Sequence, residues 1–152
     1  MLRCTPMGIC SWDFHVSGEE HQASLEFNWL GEQGVLTVNG DRFDVHKHGL
    51  ASGHWTLDQG EFQVASAQKS SAFTRTFELD IGGTVMLLQA VSPFGRAFEL
   101  KSNNQVVATF NPVHAFTRRA TIERVDPNID IRMTCFAFWL VVLMWRRATR
   151  ND

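Results

Sequence analysis

The chain has 152 residues, a length that fits one domain able to bury a real core. It is 44% hydrophobic and 20% charged, which excludes a disordered chain. Its net charge of -2 gives no global basic field to draw it to nucleic acid or to anionic lipid, which leaves only a local basic patch for such partners.

Met1 to Cys10 holds a single basic residue, Arg3, and no long apolar run, so no secretory signal is expected there. These ten residues read as an N-terminal tail before a domain over 11–150. Three cysteines, Cys4, Cys10 and Cys135, are too few and too widely spaced for a disulfide framework. A reducing compartment fits that usage, and the expected location is the cytoplasm.

Alternation of apolar and polar residues dominates from 11 to about 124. Trp12, Phe14 and Val16 alternate with Asp13, His15 and Ser17, and Leu25, Phe27 and Trp29 with Glu26 and Asn28. Period two over short runs predicts half-buried strands. Asn39-Gly40 supplies the positive φ angles of a tight hairpin. Gly82-Gly83, Ser102-Asn103-Asn104, Pro93-Phe94-Gly95 and Asn111-Pro112 mark further reversals. About eleven strands follow, near 11–17, 24–30, 34–38, 42–47, 54–58, 61–68, 73–80, 84–91, 96–101, 105–110 and 115–124. Short strands at that spacing predict a sandwich or a barrel.

The pattern breaks at Asp126-Pro127-Asn128. A helix is predicted over about 130–147, capped by Asp130 and ended by Arg146 and Arg147, whose charges suit its two poles. From Met133 to Trp145 no residue is charged, and apolar residues fall on every side. Such a helix must be enclosed, by lipid or by protein. Ile131 to Trp145 would span roughly 22 Å. A bilayer core of about 30 Å calls for a longer run. A barrel of tilted seven-residue strands stands about 20 Å high, and one of eleven or twelve strands is too wide to be filled by its own side chains. The match favours an antiparallel barrel of 11–12 strands wrapped around the helix. Its filling would be Phe136, Phe138, Trp139, Leu140, Leu143 and Trp145. The alternative is a single-pass tail anchor carrying a cytosolic β-domain.

The arrangement resembles the tubby C-terminal-like superfamily of tubby proteins, phospholipid scramblases and LURP-one-related proteins. The likeness is carried by Trp55-Thr56-Leu57, Phe62 to Ala67 with Lys69, Phe73 to Leu79, and Phe136 to Leu140 with Trp145-Arg146-Arg147. It implies a twelve-stranded barrel around a hydrophobic C-terminal helix and suggests phospholipid binding by fold analogy. No acidic calcium-binding run is seen near the helix, and tubby's phosphoinositide-binding residues find no residue-by-residue match.

Arg118 and Arg119, with Lys69, Arg75, Arg96 and Lys101, are the candidate anion-binding surface, because guanidinium forks suit phosphate. Solvated strand faces carry such residues routinely. His46 and His48 share a strand face, and with His54 across a hairpin they could supply three nitrogens to zinc and a metal-dependent enzyme. Cys135 lies in an apolar helix, a poor setting for a nucleophile. The other tryptophans and phenylalanines are expected in the core rather than in a nucleic-acid stacking platform. The expectation is a non-enzymatic binding or scaffold module without a cofactor. Its expected partner is an anionic phospholipid surface or another protein.

Overall fold

The computed structural model describes residues 1–151. Twelve strands precede one helix: β1 (Leu2–Pro6), β2 (Phe14–Gly18), β3 (His21–Phe27), β4 (Gly34–Val38), β5 (Asp41–Lys47), β6 (His54–Gln59), β7 (Phe62–Lys69), β8 (Thr76–Ile81), β9 (Thr84–Ala90), β10 (Phe98–Ser102), β11 (Gln105–Pro112), β12 (Ala120–Arg124) and α1 (Ile131–Arg150). Each strand pairs antiparallel with its sequence neighbours, and β1 closes the barrel on β12. The closing register sets Leu2 against Ile122, Arg3 against Thr121 and Cys4 against Ala120.

The first ten residues are therefore not a tail. Residues 2–6 form the twelfth strand, with Leu2 and Cys4 buried and Arg3 and Thr5 exposed between them. A five-residue strand ending in proline shows too little periodicity to be seen alone. Without it the barrel would keep two open edges, each a liability for aggregation.

The helix fills the barrel. Every residue from Met133 to Arg146 is buried, which over four turns means cover on all faces. Phe138 meets Phe14 edge-on at 5.3 Å between ring centroids and Trp145 at 6.0 Å, and lies parallel to Phe110 at 6.3 Å. Trp139 stacks on Phe27 at 4.3 Å. Of these partners Phe14, Phe27 and Phe110 sit on β2, β3 and β11 of the wall, whereas Trp145 belongs to the helix itself. Asp130 caps it as expected, accepting from the Arg132 backbone N–H at 2.9 Å. The Arg132 guanidinium at 2.6 Å also holds the Asp130 carboxyl below its ordinary pKa.

This enclosure overturns the tail anchor: Phe138, Trp139 and Leu143 are wholly inside the sheet. No helix among the described residues is long and apolar enough to cross a membrane. The outer wall carries Glu26, Asp44, His46 and Glu78 between inward apolar positions, the reverse of a lipid-facing barrel wall.

The two ends of the barrel differ in kind. At one, the links β2–β3, β4–β5, β6–β7, β8–β9 and β10–β11 are two-residue turns: Glu19-Glu20, Asn39-Gly40, Gly60-Glu61, Gly82-Gly83 and Asn103-Asn104. Positive φ at both Asn39 and Gly40, and at both Gly82 and Gly83, gives the turn twist that matches the strands. At the other end all six links run six or seven residues: 7–13, 28–33, 48–53, 70–75, 91–97 and 113–119. The helix enters at the narrow-turn end and its C-terminus emerges among the wide loops.

Candidate functional site

Each wide loop holds an apolar side chain out in solvent. Ile9 is 95% exposed, Trp29 85%, Leu50 97%, and Phe73, Phe94 and Phe116 are each 99% exposed. Phe73, Phe116 and Trp29 were expected within strands and the core. They belong instead to loops, since β8 starts at Thr76, β12 at Ala120, and β3 ends at Phe27. Residues so large are rarely left bare in a group unless they meet a partner. A signal for them does exist in the sequence: Phe73-Thr74-Arg75, Phe94-Gly95-Arg96 and Phe116-Thr117-Arg118 repeat one pattern in three successive wide loops.

The arginine of each repeat explains how the aromatic is held out. Arg75 donates to Gly95 O at 2.7 Å, Ser92 O at 2.5 Å and Pro93 O at 2.9 Å. Arg96 donates to Thr117 O at 2.8 Å, His114 O at 2.9 Å and Ala115 O at 3.1 Å. Arg118 reaches across the barrel's closure to Gly8 O at 2.7 Å and to the carbonyls of Ser11 and Ile9. Each therefore laces its own loop to the next around the rim. Carbonyl partners satisfy the guanidiniums, and aromatic faces back them: Phe98 under Arg75, Trp145 under Arg96 and Trp12 under Arg118. With the backbone fixed this way, the phenylalanine at the loop tip has no core left to enter.

Glu32 ties the remaining loops to the helix end. Its carboxylate takes Arg147 Nη2 at 2.6 Å and Lys47 Nζ at 2.7 Å, and its carbonyl takes Trp55 Nε1 at 2.9 Å. Burial pushes the Glu32 pKa up, but hydrogen bonds and charge from Arg147 and Lys47 outweigh it and pull the carboxyl from 4.5 down to about 2. A depressed acid contributes stability that is complete above its unfolded value and fades as pH falls toward the folded one. The expected contribution is roughly 2 kcal/mol after solvent screening. Urea unfolding at neutral pH and near pH 2 should show Glu32→Gln less stable than the parent only in the first condition.

The sequence candidates fall on this rim in part. Lys69, Arg75, Arg118 and Arg119 all lie at the wide-loop end, as does Arg96, whereas Lys101 lies toward the narrow turns and pairs with Glu99 at 3.1 Å. Arg75 and Arg118 are committed to carbonyls, and Lys69 Nζ donates to Ser71 O at 3.0 Å and Ala72 O at 3.1 Å. Burial, followed by the Arg147 charge, lowers the Lys69 pKa. Arg119 is exposed. Most of the chain's 14 lysines and arginines, including Arg146, Arg147 and Arg150, stand in or beside the wide loops, where the acids among the described residues are Asp13 and Glu32.

The three histidines do not converge on a metal position, and no group of three metal-ligating side chains forms among the described residues. His46 Nδ1 bonds Asp58 Oδ2 at 2.6 Å, while His48 Nε2 bonds Thr56 Oγ1 at 2.6 Å. His54 packs its ring 5.0 Å from that of His48. The reason is register: His46 faces Thr56 across β5 and β6, so Thr56 and Asp58 take the nitrogens. Cys135 is fully buried, and burial pushes its thiol up to about 12; Cys4 is buried and raised likewise. Both stay protonated, unlike a nucleophile.

Comparison with protein-family models, with curated proteins and with solved structures gives no match to this chain.

Proposed function

We propose that this protein is a non-enzymatic β-barrel module that docks its wide-loop rim on an anionic phospholipid surface. The observation that carries this is the ring itself: every loop at one end projects an apolar tip, and basic side chains stand behind the tips. Separate projecting tips suit a bilayer interface, into which each can sink, better than a flat protein face. Lysines and arginines near an anionic leaflet each contribute about 1 kcal/mol, within a Debye length of the headgroups. Between two copies of this chain the same charges would repel, so the charge favours lipid over end-to-end self-association.

The tubby-like resemblance belongs to the same proposal. Twelve strands in up-and-down order around a C-terminal helix support it. The module would work as a peripheral protein at the cytoplasmic face of a membrane, with the barrel upright and the narrow turns pointing away.

Flotation tests the reading. The full chain is mixed with vesicles of phosphatidylcholine alone, and with vesicles of phosphatidylcholine plus phosphatidylserine. It should rise with the second set, rise little with the first, and detach in molar salt. Equal, negligible recovery with both would remove the lipid proposal.

A further inference from the structure

Beside the rim's apolar tips lies a small cleft between the loops 7–13 and 28–33, with a volume of about 200 Å³. Trp12, Phe27 and Trp29 form apolar walls, and Arg146 and Arg150 come from the last turns of α1. Arg146 is only 4% exposed. Its guanidinium lies over Phe27, 5.5 Å from the ring centroid, and Nη2 makes one long contact of 3.5 Å to Trp29 O. Nη1 is buried with no hydrogen-bond partner among the described residues. A buried cationic donor left unpaired is costly, and such groups mark sites where something else completes the pairing.

The surroundings say what charge that partner carries. Arg150 follows one turn later on the same helix and is exposed, so it stands at the mouth of the cleft while Arg146 lies deeper. Burial and the nearby Arg150 charge both push the Arg146 pKa down. An anion between the two guanidiniums would relieve both effects. Asp13 is the acid in the cleft, and its Oδ1 is occupied by the Phe27 backbone N–H at 2.8 Å. At about 30 Å³ per water, the space holds several waters' worth of volume, enough for a tetrahedral oxyanion.

We infer that Arg146 and Arg150 form a binding site for one phosphate group, in this cleft at the edge of the rim. The inference rests on the membrane-docking proposal for its biological setting but not for its chemistry. Phosphate matches the site because two guanidinium forks can share its oxygens, and because charge-assisted pairing compensates the buried Nη1. The group could arrive on a lipid headgroup or as a free phosphate. Cleft and tips face the same way, so a docked barrel would bring headgroups to the cleft mouth.

The test follows the arginine side-chain N–H resonances of the full-length protein while inorganic phosphate is added. The Arg146 and Arg150 signals should shift together and saturate. Arg150→Gln, an exposed change that spares the fold, should weaken the affinity about tenfold by removing one charge-assisted contact. Asp13→Asn keeps the Oδ1 acceptor, removes the repelling charge, and should tighten binding severalfold. Absent shifts, or an affinity unchanged in Arg150→Gln, would overturn the site. Flotation on vesicles containing phosphatidic acid, with and without saturating phosphate, separates the sources. Competition assigns the lipid headgroup, and phosphate binding without competition assigns the soluble anion. Wild-type protein that fails to float yet still shifts at Arg146 would end the docking proposal and leave this site standing.

Discussion

A chain ended after Asp126 should lose its cooperative unfolding transition altogether. The truncation removes α1, whose residues Met133 to Arg146 are all buried. Phe136, Phe138, Trp139, Leu140 and Leu143 are each 0% exposed, and each contributes on the order of 1.5–3 kcal/mol by burial, as an upper bound. Even discounted, their sum rivals the roughly 5–15 kcal/mol of net stability typical of a whole domain. The inward strand residues, among them Phe14, Phe77, Phe98 and Phe110, would face an empty barrel too wide to collapse on itself. The expected product keeps strand signal in far-UV circular dichroism, loses near-UV signal and binds hydrophobic dyes. Phe138→Ala probes the same point gently: it should cost about 3–5 kcal/mol in urea unfolding, because the rigid wall around it cannot close the cavity. A truncated chain that stays soluble with a sharp transition would overturn the view of α1 as the pillar of the fold.

That pillar was legible in the sequence because its signal is long and has few competing explanations. Thirteen uncharged residues bounded by Arg132 and Arg146 permit only enclosure, and the helix length chooses the barrel over the bilayer. Hairpins at Asn39-Gly40 and Gly82-Gly83 were legible for a local reason: their positive φ angles select those residues. Glu19-Glu20 was not, since nothing in two glutamates announces a left-handed turn, and Glu19 is held there by ion pairs with the N-terminal amine at 3.3 Å and Arg124 at 3.4 Å. Strand β1 escaped because its evidence is long-range: it is a strand by virtue of β12, more than a hundred residues away. The rim escaped for a related reason. Phe73 and Phe116 follow the alternation of the strands beside them, so period two absorbs them into those strands. What places them outside is the arginine two residues later reaching into the next loop, a contact that local pattern cannot show. Of the basic candidates, Arg75, Arg96 and Arg118 serve as the lacing of the rim, a role that charge alone does not announce.

Replacing Phe73, Phe94 and Phe116 together by serine should reduce partitioning onto anionic vesicles roughly hundredfold while leaving thermal stability unchanged. Each ring is 99% exposed, so removing it takes nothing from the core, and surface changes of this kind usually stay within about 0.5 kcal/mol. On a bilayer each ring would move from water into the interface and gain about 1 kcal/mol, a part of its full burial value. Three of them supply close to 3 kcal/mol, which is the hundredfold. The size depends on the loops staying fixed, since a mobile loop would have to be ordered on binding at an entropic cost. Arg96→Lys, which keeps the charge but loses the planar fork reaching Thr117, His114 and Ala115, should therefore weaken binding by a smaller factor, without touching a lipid-facing ring. Phe62 gives the control. It is 80% exposed next to a narrow turn at the opposite end, and Phe62→Ser should leave flotation as it was. A triple variant that floats like the parent, or a Phe62 variant that does not float, would show that the rim is not the surface that meets the membrane.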